Sequence, residues 1–468
     1  MIAITMEGGS RLRVKPCYYF RLQREFDRSG TINLGGQVNP PLKPDTSYEI
    51  RVGTLLLDDP IDDDQLLDLK QLEDKLPPAK AWLKDLFALP EEQSKAEFRT
   101  FPTSGVGDDQ LDFLLGSCRY PGLLWKFRHS DRIFAPMAES LADADDGSRP
   151  RFVLMVGDQI YADLFNLLPI GRADTYNEFR DRYITAFRSH NIRRLMQRLP
   201  TYMVLDDHEI EDNWTQDRIR RCAKYQLFTI AIDAYLSYQW SHGPRSYGKR
   251  LYYRFDCGRY PFFVLDTRTQ RYLEGDEGDL SDNHLLGRPT LPGSQPGQLQ
   301  RLLTWLQTQQ RCRGDVPKFI VCSSVFVPNP MSARNDRSDR AKERSDSWPG
   351  FPNTRAAILR CIVDNCVQNV VFLSGDIHCS NVASLSFKGS EEAEKLRAFS
   401  VTSSAFYWPF PFADGEPSDY VHDSTEAGQS DTFTFESSAG QTLTMDYEAG
   451  NFTQEDKLLP SLDRPGKT

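Results

Sequence analysis

The chain lacks any apolar run long enough to cross a bilayer, and its opening, MIAITMEGGSRLRVK, has no apolar core of the kind a secretory leader needs. No helical membrane span is therefore expected, and the expected compartment is the cytoplasm, with secretion reserved for a chain already trimmed of its leader. Paired cysteine spacing is also missing. Nine cysteines are scattered through the sequence, an odd number, which favours a reduced setting over a disulfide framework. Basic charge is in deficit: 56 Lys and Arg stand against 66 Asp and Glu, giving a net charge of −10 and a pI of about 5.4. That balance argues against broad nucleic-acid binding, which needs a basic face. There is no internal repeat or low-complexity tract, and oligomeric state is not legible. Histidine is scarce, at seven residues.

What is present is a globular chain of 468 residues, with 28 Phe and 19 Tyr to build cores, long enough for two or three units. It is organised around Phe152–Asp163, FVLMVGDQIYAD. A short continuous apolar run suits a strand buried on both faces. It stops at Gly157-Asp158, which puts a carboxylate at the C-terminal edge of a sheet, where ligand sites gather in open α/β folds. Two further stretches repeat the pattern. Tyr202–Asp207 (YMVLDD) runs into His208, Glu209 and Asn213, and Val370–Asp376 (VVFLSGD) runs into His378. Acidic strand ends converging on one edge are too costly unless a cation neutralises them.

The rest of the chain fits around these strands. Strands are expected at Cys17–Leu22, Thr31–Leu34 and Tyr48–Leu57, helices at Gln65–Leu76 and Lys80–Leu89, and a strand over Phe113–Tyr120. Asp174 or Thr175 caps a helix expected to run to about Leu199, where Pro200 ends it. Further strands are expected at Phe262–Arg268 and Lys318–Val327, followed by a helix around Ile358–Cys366 and strands at Phe399–Thr402 and Thr442–Met445. Tyr272–Pro296 reads as a surface excursion. Arg334–Arg344 reads as a charged loop or a lid, and the tail from Thr453 as frayed. The resulting division is a β-rich lobe with an acidic helical linker over 1–105, an α/β catalytic unit over 106–452, and a tail over 453–468.

Each candidate residue carries a bland alternative. Asp158, just past a buried strand, is placed to bridge two cations, and two-metal sites hold the attacking and leaving oxygens of a displacement at phosphorus. Tyr161 is near enough to reach the same centre, or is packing; Asp163 would stand behind it. Of Asp206 and Asp207, one would ligate while the other holds a neighbour. His208 would coordinate, donate a proton to a leaving oxygen, or be held structurally by Asp206 or Glu209. Asn213 would supply a neutral oxygen or sit in a turn. Asp376 and His378, two apart in an extended strand end, share one face. Cys118 reads as a core thiol unless its strand-end position makes it a ligand.

The ordered set GSCR (Gly116–Arg119), GDQIYAD (Gly157–Asp163), DDHEIEDNW (Asp206–Trp214), LDTRTQR (Leu265–Arg271) and SGDIH (Ser374–His378) resembles the PhoD-like, or alkaline phosphatase D, family of metallophosphatases. The resemblance implies an α/β fold, a two-sheet sandwich flanked by helices with an N-terminal β-rich domain, and phosphomonoesterase or phosphodiesterase activity on a small phosphate ester. It also implies a ferric iron and calcium site. Carried over, Cys118, Asp158, Tyr161 and His378 would hold the iron. Asp158 and Asp376 would also reach calcium, helped by Asn213 or Asp207. His208 would be the leaving-group acid or a phosphate contact. Thiolate and phenolate favour ferric iron and a hard oxygen pocket suits calcium. A trivalent ion would acidify a bridging water to hydroxide, with Arg119 neutralising phosphate oxygens. Arg268, beside Asp266, reads first as a structural ion-pair partner. Two rival readings are a zinc or manganese hydrolase of non-phosphate esters, and a catalytically silent phosphate-ligand binding protein on the same fold.

Overall fold

The computed structural model describes residues 2–6, 22, 27–31, 41–54, 69–76, 79–105, 110–122, 129–143, 149–163, 171–244, 250–275, 279–328, 346–409 and 432–450. Its first sheet is antiparallel: β1 (Ile2–Met6), β2 (Ser47–Val52) and β3 (Lys95–Arg99). Then come β4 (Leu114–Arg119), β5 (Val153–Val156) and β6 (Thr201–Val204), all parallel. The larger sheet contains β7 (Tyr253–Cys257), β8 (Tyr260–Val264), β9 (Lys318–Val321), β10 (Val370–Ser374), β11 (Asn381–Lys388) and β12 (Ala398–Thr402). The short β13 (Ala405–Tyr407) returns to pair with β4. β14 (Phe433–Glu436) and β15 (Thr442–Gly450) extend the edge of the larger sheet. Within that sheet β8, β9, β10 and β12 run parallel, and the flanking pairs are antiparallel.

The two larger sheets face each other, and strand periodicity explains how. Along β5 and the residue before it, Phe152, Leu154 and Val156 point between the sheets, where they join Phe262, Val264, Val321 and Leu373. Val153 and Met155 point the other way, against Phe134, Ala138, Ile192 and Leu195 of the helices Phe134–Asp143 and His190–Met196. The outer face of the larger sheet is covered by Leu302, Trp305 and Leu306 and by Ile358, Leu359 and Ile362, from the helices Gln298–Arg313 and Pro352–Asp364. This is a sandwich flanked by helices, as expected from the resemblance. Among the described residues, no helix is long and apolar enough to cross a membrane.

The expected helix from Thr175 to Leu199 is two helices, Tyr176–Phe187 and His190–Met196. Thr175 does cap the first, with Glu178 closing a capping box. The break at Ser189 is sustained from a distance: the Asp131 carboxylate accepts the freed N–H groups of Asn191 (2.8 Å) and Ile192 (3.0 Å). The expected strands at Phe262–Arg268 and Lys318–Val327 stop early, at Val264 and Val321, because their C-terminal residues turn into side-chain-bonded loops. Of the expected elements, residues 17–21, 32–34, 55–57 and 65–68, the charged loop over 334–344 and the tail from 453 lie outside the described residues.

Candidate metal centre

The C-terminal ends of β4, β5, β6 and β10 meet at one edge, and their chain order becomes one constellation. Asp158, Asp207 and His208 offer ligand atoms within 4.8 Å of one another, and so do Asp158, Asp206, Asp207 and Asp376. The Cys118 thiol lies 3.4 Å from Asp158 Oδ2, and the Tyr161 hydroxyl 3.3 Å from His378 Nε2. The His208 Nδ1 meets Asp163 Oδ1 at 2.7 Å, which leaves Nε2 for the centre. Rings lock the imidazoles: Tyr161 stacks on His208 at 4.2 Å between centroids, and Trp408 on His378 at 3.7 Å.

Local backbone explains why these side chains face inward. Cys118, Asp158, Asp376 and His378 all have positive φ, between 46° and 74°, a left-handed conformation that costs a non-glycine residue about 1–2 kcal/mol. Each strand thus turns sharply as it leaves the sheet and drops its side chain over the edge. Two glycines permit the close approach. A Cβ on Gly157 would sit 2.6 Å from Asp206 Cβ, and one on Gly375 would sit 2.2 Å from Ser117 Cβ and 2.9 Å from Val156 O. The loops are tied together by Glu209, whose carboxylate accepts the N–H groups of Asp158 (3.2 Å), Gln159 (2.6 Å) and Asp206 (2.9 Å) and the Gln239 amide (3.0 Å).

Several oxygens and one nitrogen at this edge make no hydrogen bond. Asp158 Oδ1, Asp206 Oδ2, Asp207 Oδ1 and His378 Nδ1 are buried without one, and of these Asp207 Oδ1 has the Arg268 guanidinium at 3.4 Å. Unpaired buried acceptors are rare in native proteins, and a cluster of them is what a cation satisfies. The donor set therefore fits metal ions.

The model of the PhoD-like phosphatase family matches residues 132–410, more than half of the chain and every acidic strand end just described. The chain belongs to the PhoD-like phosphatase family. Cys118 and Arg119 lie just before the matched residues. Among curated proteins, alkaline phosphatase D of Bacillus subtilis (strain 168) is 24% identical over 324 residues, covering 64% of this chain and 51% of that protein. This chain thus spans about half the length of the curated relative. A solved structure described as that of PhoD superposes with a TM-score of 0.54 at 18% identity, covering 86% of this chain and 70% of that one. It shows the shared fold.

Electrostatics in this PhoD-like centre follow from burial and crowding. Burial and the neighbouring Asp206 push Asp158 well above the usual carboxylate range, and burial with Asp206 and Asp346 does the same to Asp376. Burial lifts Asp206 to about 6, although Arg268 restrains it. For Asp207 burial is outweighed by Arg268 and His208, and its pKa falls to about 2. The Cys118 thiol and Tyr161 phenol are both pushed well up, by burial first and then by the surrounding acids. Burial drops His378 to about 3, while at His208 the charges of Asp163, Asp207 and Asp158 overcome burial and raise it well above its ordinary value. Without cations, burial and crowding favour the protonated forms of Asp158, Asp376, Cys118 and Tyr161; multivalent ions reverse that logic.

Not every candidate joins. Asn213 is exposed; its backbone N–H, not its amide, reaches the cluster, at 2.5 Å from Asp207 Oδ2, and its side chain bonds Asp212. Arg119 is buried, but its guanidinium donates to Ala186 O (2.7 Å) and Ser130 O (3.3 Å) and faces a separate cavity. Arg268 is an ion-pair partner, but not of Asp266. The Asp266 carboxylate folds back onto the N–H groups of Arg268 and Thr269 and the Thr269 hydroxyl, so Arg268 turns to Asp206, Asp207 and Asp346. Sequence reasoning missed Glu209 as the loop clamp, Trp408 as the ring under His378, and Asp346. Glu209 sits inside the DDHE run, so its signal was present. Trp408 and Asp346 have no motif around them.

Proposed function

We propose that this chain is a metal-dependent phosphoesterase that hydrolyses small phosphate monoesters or diesters, with ferric iron and calcium as its ions. The observation that carries the reading is the convergence at one sheet edge of a PhoD-like chain of buried oxygens from Asp158, Asp206 and Asp207 that make no hydrogen bond. When bound, the ions would supply Lewis acidity to the attacking water and to the phosphate oxygens. Cys118, Asp158, Tyr161 and His378 would hold the iron, since a thiol and a phenol this strongly protonated give up their protons only to a strongly polarising cation. Asp158, Asp207 and Asp376 would face the calcium, with Asp206 beside them.

The protein's own groups do the rest. Asp163 orients His208 by accepting a hydrogen bond from Nδ1–H, and the Tyr161 ring fixes its plane. The protonated imidazole then stands ready, through Nε2, to give a proton to the departing oxygen. Arg268, pinned between Asp206 and Asp346, balances the crowd of acids. The test is elemental analysis of protein purified without chelator, combined with a screen of aryl and alkyl phosphate mono- and diesters. Turnover that chelation abolishes and iron with calcium restores supports the reading. Full restoration by zinc or manganese alone, or turnover only of carboxylic esters, removes it.

A further inference from the structure

Beside the metal centre, sharing the Tyr161 side chain with it, lies a cavity of about 590 Å³. Its walls carry three arginines and three acids, and the acids are already spoken for. Asp174 pairs with Arg172 at 2.8 Å, Glu178 closes the capping box of the helix Tyr176–Phe187, and Asp181 meets Arg180 at 3.4 Å. Two of the cations are left short. Arg182 donates to a neutral carbonyl, Gly171 O, at 2.7 Å. Arg119, 3% exposed, has its nearest carboxylate, Asp131, at 3.6 Å, and that carboxylate is engaged by the N–H groups of Asn191 and Ile192. Burial lowers the pKa of the Arg182 guanidinium against the pull of Glu178. A third wall residue adds an acceptor. Gln159 is 1% exposed, spends its Nε2 on Gly157 O at 2.7 Å, and has no partner for Oε1.

We infer that this cavity seats a tetrahedral oxyanion that still carries a proton, a hydrogen phosphate or the phosphate of a phosphomonoester, with Arg119 and Arg182 on its anionic oxygens and Gln159 Oε1 accepting from its P–OH. Two donors and one acceptor suit such an anion better than a fully ionised carboxylate, which has no proton to offer Gln159. Its source is either free phosphate or a second phosphate on a substrate whose first phosphate lies at the metals; the latter rests on the function proposed above.

The seat is tested by calorimetric titration of inorganic phosphate at pH 7 into chelator-treated, full-length protein, comparing wild type with Arg182→Gln and Arg182→Lys. Wild type should bind, Arg182→Gln should bind at least roughly tenfold more weakly, and Arg182→Lys should fall between. Equal binding by wild type and Arg182→Gln, or none by wild type, overturns the inference. In metal-loaded protein, hexyl phosphate and 1,6-hexanediol bisphosphate then separate the sources. A rise in KM for the bisphosphate alone in Arg182→Gln assigns the seat to a remote substrate phosphate; unchanged KM values with weakened phosphate binding assign it to free phosphate. If the loaded protein hydrolyses neither ester, the phosphoesterase reading fails while the calorimetry stands.

Discussion

His208 shows how much one side chain's role depends on its neighbours. Alone, an imidazole titrates near neutrality. Here Asp163 holds one nitrogen, and the charges of Asp163, Asp207 and Asp158 raise the ring's pKa well above its ordinary value in the metal-free protein. In His208→Ala, kcat on alkyl phosphates should fall by about 10²–10⁴-fold, and on nitrophenyl phosphate by far less, because a good leaving group needs no proton. Equal losses on both, measured in steady-state kinetics, would move His208 from acid to structural support. Tyr161 is tested differently. Its phenol, kept protonated by burial among acids, ionises only against a metal. Tyr161→Phe should lose the visible phenolate-to-iron absorption of the loaded protein, and an unchanged spectrum would clear Tyr161 of ligation.

At the scale of elements, the site depends on strands that end abruptly and close to one another. Gly375 shows the tolerance. A methyl there meets the Ser117 Cβ and a backbone carbonyl of β5, neither of which can swing away. Gly375→Ala should cost about 1–3 kcal/mol, read as a lowered denaturation midpoint, since overpacking against backbone is not relieved by a rotamer change. A midpoint equal to wild type would mean the strand ends are looser than drawn. These ends were legible in the sequence because an apolar run that stops at Gly-Asp is a local pattern: Val153–Asp158 and Val370–Asp376 carry both the strand and its carboxylate. What was not legible is non-local. The break at Ser189 is held by Asp131, nearly sixty residues earlier in the chain. Arg268 finds Asp206 and Asp346 because Asp266 is consumed by its own turn, and no spacing announces that. Arg119, adjacent to Cys118, faces a different cavity because Ser130 and Ala186 carbonyls claim it.

For the molecule as a whole, the acidic edge couples folding to metal and to pH. In metal-free protein Asp158, Asp376, Asp206 (to about 6) and His208 all have raised pKa values, so the folded chain binds more protons than the unfolded one and loses stability as pH rises through those values. His378, lowered to about 3, and Asp207, lowered to about 2, oppose this only below their ordinary ranges. Bound cations cancel the repulsion and compete with protons for the same atoms. The difference in Tm between loaded and chelated protein should therefore widen from pH 5 to pH 8 in differential scanning calorimetry; a constant or shrinking difference would contradict the charge assignment. On the function proposed above, carboxylates from distant strands tolerate one another because metal ions would lie among them. Elemental analysis of wild type and Asp158→Ala, both purified without chelator and both shown to be folded by circular dichroism, addresses that coupling most directly. Wild type should retain metal in stoichiometric amount and the variant should lose nearly all of it, whereas equal metal content in the two proteins would contradict the account.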